Sequence, residues 1–104
     1  MNEDMQKKCE LRAHMFKALA HPMRVYILEY LKERPWCVCE MANELGIDKS
    51  VASKHLSQLK EAGLVEDKKK GTLVEYHIAA QCVLDLAACA ESTVLQNRRK
   101  RLGL

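Results

Sequence analysis

The stretch CVCEMANELGIDKSVASKHLSQLKEAGLVEDKKKGTLVEYHI, residues 37–78, decides the architecture. A short helical pattern at 39–45 stops at Gly46, a residue suited to the left-handed turn that closes a helix. Asp48 or Ser50 offers the cap of a second helix, which runs to Ala62 and ends at Gly63. Residues 64–65 and 72–78 read as two strands around Lys68-Lys69-Lys70-Gly71, and in the second Thr72, Val74, Tyr76 and Ile78 alternate with Leu73, Glu75 and His77. A short helix, a tight turn, a longer helix and a two-stranded ribbon make a winged helix–turn–helix.

Outward from this stretch the chain is helical. Residues 4–20 place Leu11, Met15, Ala18 and Leu19 at helix spacing. His21-Pro22 breaks that run, and Pro22 suits the first turn of a second helix. This helix turns Met23, Ile27, Leu31, Val25 and Leu28 inward and is ended by Pro35. Residues 80–97 form a last helix rich in Ala, Leu and Val. The expected fold is mainly α with a small β-hairpin, in the order ααααββα. One domain covers residues 1–97, with a flexible basic tail at 98–104.

At 104 residues there is room for one core. Hydrophobic residues at 48% and charged residues at 30% describe a globular chain and exclude a disordered one. No apolar run approaches the ~18 residues of a membrane span. The polar residues 1–8 lack the apolar segment of a secretory signal. Five cysteines are an odd number and too sparse for a disulfide scaffold, so reduced thiols and a cytoplasmic location, without a membrane, are expected.

The net charge of +3 is unevenly distributed. Seven basic and seven acidic side chains cancel in residues 1–47, and residues 73–97 hold only Glu75, Asp85 and Glu91. The excess lies in residues 48–72 and in Arg98-Arg99-Lys100-Arg101. A local basic patch marks a polyanion partner, and nucleic acid is the first candidate over a merely solvated face. On a wheel of ~100° per residue, Ala52, Leu56 and Leu59 form one stripe of the fourth helix. Ser50, Ser53, Lys54 and Ser57 lie opposite, with Lys49 and Gln58 nearby and His55 at the margin. Small hydroxyls beside a lysine let a helix approach base edges, and Glu61, one turn on, favours docking through the N-terminal half. Lys69, Lys70 and Thr72 at a hairpin tip suit the phosphate backbone. Five aromatics, most at helical positions, are too few for a single-strand stacking platform. The expected partner is double-stranded DNA.

Cys37-Val38-Cys39 is the distinctive chemical feature. Residues i and i+2 point about 200° apart on a regular helix, so they chelate one ion only if the helix entrance bends or unwinds. A soft thiophilic ion gathering both sulfurs would then move the helix supporting the reading helix. The plainer alternative is two small buried residues, since free cysteine packs as a small hydrophobe. Cys82 and Cys89 share a helix face ~10.5 Å apart, too far for one ion, and suit a helix–helix interface. Cys9 is a third ligand candidate. His14 with Glu10 reads as a surface pair, while His21 and His77 carry no site argument.

The sequence resembles the ArsR/SmtB family of metal-responsive winged-helix repressors over nearly its whole length. The resemblance is carried by Phe16-Lys17-Ala18-Leu19-Ala20-His21-Pro22 with Arg24 and Ile27-Leu28, by Ala52-Ser53-Lys54-His55-Leu56, and by residues 59–65. Cys37-Val38-Cys39-Glu40 resembles the Cys-Val-Cys-Asp box of the arsenite-responsive branch, whose cysteines bind As(III) or Sb(III) and release the operator. The resemblance implies a homodimer built through the first and last helices, repressing until a metalloid binds, with no organic cofactor. The third cysteine of that box is replaced by Ala42, so Cys9, Cys82 or Cys89 supplies it, a small thiol does, or the inducer is another soft metal ion. The zinc-sensing pattern on the last helix is missing, because Asp85 has no histidine with it between residues 78 and 104. Two other readings remain: a repressor of the same fold with a redox or persulfide input at Cys37, and, more distantly, a thiol-disulfide enzyme.

Overall fold

The computed structural model describes residues 2–104. Helices α1 (Glu3–Leu19) and α2 (Pro22–Glu33) lead through strand β1 (Trp36–Cys37) into α3 (Val38–Leu45) and α4 (Lys49–Glu61). Strands β2 (Val65–Lys70) and β3 (Leu73–Ile78) follow, then α5 (Cys82–Arg101). Asn2 caps α1 by accepting from Met5 N at 2.7 Å. The break at His21 is also a cap, with Nδ1 accepting from Met23 N at 3.1 Å ahead of Pro22.

The helix–turn–helix forms as expected. Gly46 adopts φ 66°, and Ile47 N reaches back to Ala42 O at 3.1 Å, satisfying a carbonyl at the end of α3. Asp48, rather than Ser50, stands at the α4 cap. The apolar stripe of α4 (Ala52, Leu56, Leu59) is buried, and Leu56 and Leu59 share one core with Ile27, Leu28 and Leu31 of α2, Met41 of α3, and Leu64, Val65 and Tyr76.

The ribbon differs from expectation in two ways. It is a three-stranded antiparallel sheet in the order β1-β3-β2, with Trp36 opposite Tyr76 and Cys37 opposite Glu75. A two-residue strand carries no alternation to read. Local features place it within reach of β3: Pro35 holds Arg34 extended (φ −166°, ψ 166°), and Trp36 Nε1 donates to Tyr30 O at 3.2 Å. In addition, the three lysines belong to β2, pairing Lys68 with Glu75, Lys69 with Val74 and Lys70 with Leu73. The turn is only Gly71-Thr72, with Gly71 at φ 64° in the first central position of a two-residue hairpin loop.

The two outer helices are sparsely covered. Only Ala18 of α1 and only Val83 and Leu84 of α5 are buried. Leu11, Phe16 and Val25, at apparent core positions by spacing, are exposed, as is Tyr26. The radius of gyration is 16.3 Å, against about 13 Å for a compact chain of this size. The last helix also runs past residue 97, taking the expected loose basic run Arg98-Arg99-Lys100-Arg101 as its final turn. Cations at a helix C-terminus are favoured by the backbone dipole, and Leu104 N closes on Arg99 O at 2.9 Å beyond Gly103 at φ 73°.

Candidate nucleic-acid interface and thiol site

Helix α4 displays Lys49, Ser50, Lys54, Ser57 and Gln58 to solvent, while Ser53 is half-buried beside the core stripe. Lys69, Lys70 and Thr72 are exposed at the hairpin end. Lys70 is partly neutralised, because its Nζ lies 3.3 Å from Glu75 Oε1. The same oxygen lies 2.9 Å from His77 Nε2, a close polar contact without hydrogen-bond alignment. Burial pushes the Glu75 carboxyl up, but Lys70 and then His77 more than offset it and leave it below its ordinary value. Lys60 of α4 bridges to Asp67 of β2 at 3.0 Å, tying the reading helix to the ribbon.

His55 does not stand free at the margin of α4. Its Nδ1 accepts from Arg24 Nε at 3.2 Å, and its ring lies 4.5 Å from that of His21. Arg24 also donates from Nη1 to Ala18 O at 3.3 Å, so one guanidinium ties α1, α2 and α4 together. Desolvation first, then His21, Arg24 and Lys54, hold the His55 pKa below its ordinary 6.5. These contacts tie α4 to α2 through His55. The signal for them was His21, which carried no site argument as a lone histidine.

The thiols lie at a junction. Cys37 is at once the end of β1 and the extended cap of α3 (φ −85°, ψ 161°). It is half-buried, and Cys39, one residue into the helix beyond Val38, is exposed. Cys37 N donates to Glu40 Oε1 at 3.0 Å. That backbone bond first, the Cys37 thiol next and then Arg34 draw the Glu40 carboxyl below its ordinary range. Arg34 lies 3.4 Å from Glu40 and stacks 3.6 Å over the Trp36 ring. Cys37, Val38 and Cys39 line a cavity of about 150 Å³ with Lys49 of α4 and with Thr72, Leu73 and Val74 of the ribbon. The Cys37-Val38-Cys39 stretch therefore shares a cavity with both α4 and the hairpin.

The remaining cysteines, Cys9 on α1 and Cys82 and Cys89 on α5, are exposed. Among the described residues no three His, Cys, Asp or Glu side chains are grouped to hold a metal ion. The expected Glu10–His14 pair does not form: Glu10 instead accepts from Gln6 Nε2 at 3.3 Å. No helix among the described residues is long and apolar enough to cross a membrane.

Comparison with known proteins places this geometry. The profile of the family described as "Bacterial regulatory protein, arsR family" matches residues 21–67, which run from the α2 cap into β2. The uncharacterized HTH-type transcriptional regulator Rv0081 of Mycobacterium tuberculosis is 38% identical over 96 residues, covering 91% of this chain and 84% of that one. The chain belongs to the ArsR family. The crystal structure of Rv0081 superposes with TM-score 0.74 at 33% identity, covering 98% of this chain and 99% of that one. The homodimeric winged helix-turn-helix DNA-binding domain of Mb0332 from Mycobacterium bovis gives TM-score 0.79 at 31% identity over 90% and 87% of the two chains. The arsenic resistance transcriptional regulator ArsR1 of Pseudomonas putida is 38% identical over 65 residues, 62% of this chain and 51% of that one.

As an ArsR-family protein this chain is a DNA-binding transcriptional repressor and not an enzyme. The thiol-disulfide enzyme reading is thereby removed. In this chain the short β1 joins Cys37 to β3 by antiparallel pairing.

Proposed function

We propose that this repressor releases operator DNA when a soft thiophilic ion, As(III) or Sb(III) foremost, binds Cys37 and Cys39. One observation supports this above the others: Cys37 is paired with wing strand β3 and also caps the helix that braces α4. Two thiolates suit soft ions over the oxygen-seeking Mg or Ca. Drawing the two sulfurs together strains the β1–β3 pairing and the first turn of α3, so a ligand that prefers the strained form disfavours the DNA-bound one.

In this reading Lys49, Ser50, Ser53, Lys54, Ser57 and Gln58 face the major groove, and Lys69, Lys70 and Thr72 meet the backbone beside it. His55 acts on DNA only through the position of α4. The dimer forms through α1 and α5, whose exposed Met5, Leu11, Phe16, Leu86, Val94 and Leu95 need a cover that one chain does not supply. Cys9, Cys82 or Cys89, brought by that dimer, or a small exogenous thiol, completes a three-sulfur set. The test is fluorescence anisotropy on the DNA upstream of the protein's own gene, with arsenite, antimonite, cadmium and zinc titrated in turn. Arsenite should release wild type and leave the doubly substituted Cys37→Ser, Cys39→Ser protein bound. Release of both at one arsenite concentration refutes the assignment.

A redox or persulfide input at the same box is the second reading, favoured by the exposure of Cys39 and by the lack, among the described residues, of a three-ligand group around the box. Mass spectrometry separates the two: a covalent mass change on Cys37 that accompanies DNA release by peroxide or persulfide, with no release by arsenite, selects the redox input.

A further inference from the structure

A half-open cavity of about 510 Å³ lies between the end of α1, the start of α2 and the outer face of α4. His14, Lys17, His21, Arg24, Gln58 and Glu61 line it. Two permanent cations and two imidazoles thus face a single carboxylate. The floor is built rather than loose. Arg24 is fixed by Ala18 O and His55 Nδ1, and His21 by its bond from Met23 N, which leaves the His21 Nε2 edge free of the capping interaction. A guanidinium already held in place loses little conformational entropy when an anion arrives. Gln58 lines the cavity and is exposed on the side of α4 proposed above to read DNA, so the cavity flanks that helix.

We infer that this cleft seats a phosphate group, namely a backbone phosphodiester next to the base pairs that α4 reads. Arg24 and His21 form its floor, and Lys17 and His14 its rim. Such a contact fixes register without carrying sequence information. Glu61 opposes it, so two neighbours in one cleft have opposite signs of effect. The inference rests on α4 as the DNA-reading element, and its test separates the two.

Duplex binding is measured from about 50 to 200 mM salt for wild type and for Lys17→Gln, Glu61→Gln and Lys8→Gln, the last losing the same charge from α1 outside the cleft. Lys17→Gln should weaken cognate and scrambled duplexes alike, several-fold, and lower the salt slope by about 1. Glu61→Gln should tighten both, and Lys8→Gln should leave the slope unchanged. Equal behaviour of Lys17→Gln and Lys8→Gln, or no gain from Glu61→Gln, overturns the DNA backbone as occupant. In a second arm inorganic phosphate is titrated into the DNA-free full-length protein while the histidine ring resonances are followed by NMR. Shifts of His14 and His21 that Lys17→Gln weakens support the seat even if wild type shows no preference for cognate DNA, a result that would sink the reading of α4 alone. If the salt slope does not respond while phosphate shifts these rings, the occupant is a free anion and the phosphodiester assignment fails. With neither response, the cleft is no phosphate seat.

Discussion

The helix–turn–helix and the two outer helices of this protein obey opposite rules of burial. In the centre, Ile27, Met41 and Leu59 have no exposed surface. On α1 and α5, by contrast, Leu11 is 61% exposed, Phe16 52% and Leu86 51%. Both regions have apolar residues at helical spacing, so periodicity alone does not tell them apart. The difference lies in whether the partner surface is in the same chain. The centre is complete in one protomer and carries the reading surface on a rigid base. The outer helices leave apolar surface uncovered, and in the proposed dimer a second copy covers it and holds two half-sites on DNA at a set spacing.

This contrast can be broken or sharpened by substitution. The largest stability effect should come from the centre: Leu59→Ala removes a fully buried side chain between α2, α4 and the ribbon and should cost about 2–5 kcal/mol. Chemical denaturation checks it, and the loss should persist at every protein concentration. Leu95→Glu on α5, 49% exposed in one chain, should leave the centre folded and instead shift sedimentation from dimer to monomer, with DNA affinity reduced more than tenfold. If Leu95→Glu stays dimeric, the outer helices are not the interface. Gly46→Ala should cost about 1 kcal/mol, because φ 66° strains any residue with a Cβ although no neighbour blocks it.

The smallest effect is one of pH. His55 has its pKa held below 6.5, so the folded state binds fewer protons than the unfolded state between the two values. Stability is therefore full above 6.5 and falls as pH drops through 6.5 toward the lowered value. His55→Gln, which keeps an acceptor near Arg24, should flatten that part of the slope in denaturation midpoints compared at pH 7.5 and 5.5, both about one unit from 6.5. An unchanged slope would mean that His55 is not the group responsible.

The fold class follows from punctuation that physics makes unambiguous. Gly46, Gly63 and Pro22 terminate or start helices for backbone reasons that hold in any context, and the stripe Ala52, Leu56, Leu59 leaves one face of α4 for the core. Cys37 and Cys39 stood out for a related reason, since two thiols at a helix entrance are chemically unusual wherever the helix goes. Long-range partners were not accessible in this way. Strand β1 is two residues long and exists because Trp36 and Cys37 meet Tyr76 and Glu75 from far along the chain. The helical Arg98–Arg101 run depends on a dipole that only a continued helix provides.

Local residue chemistry thus determined where the central helices begin and end, which face of the reading helix is buried, and which thiols to examine. The tertiary structure alone decided that the cysteine box is stitched to the wing, that His55 braces α4 through Arg24, and that α1 and α5 lie largely uncovered. The physical reason is range. Caps, breaks and amphipathic stripes are written within a few residues, whereas a strand pairing or a shared hydrogen bond depends on groups that only folding brings within 3–4 Å.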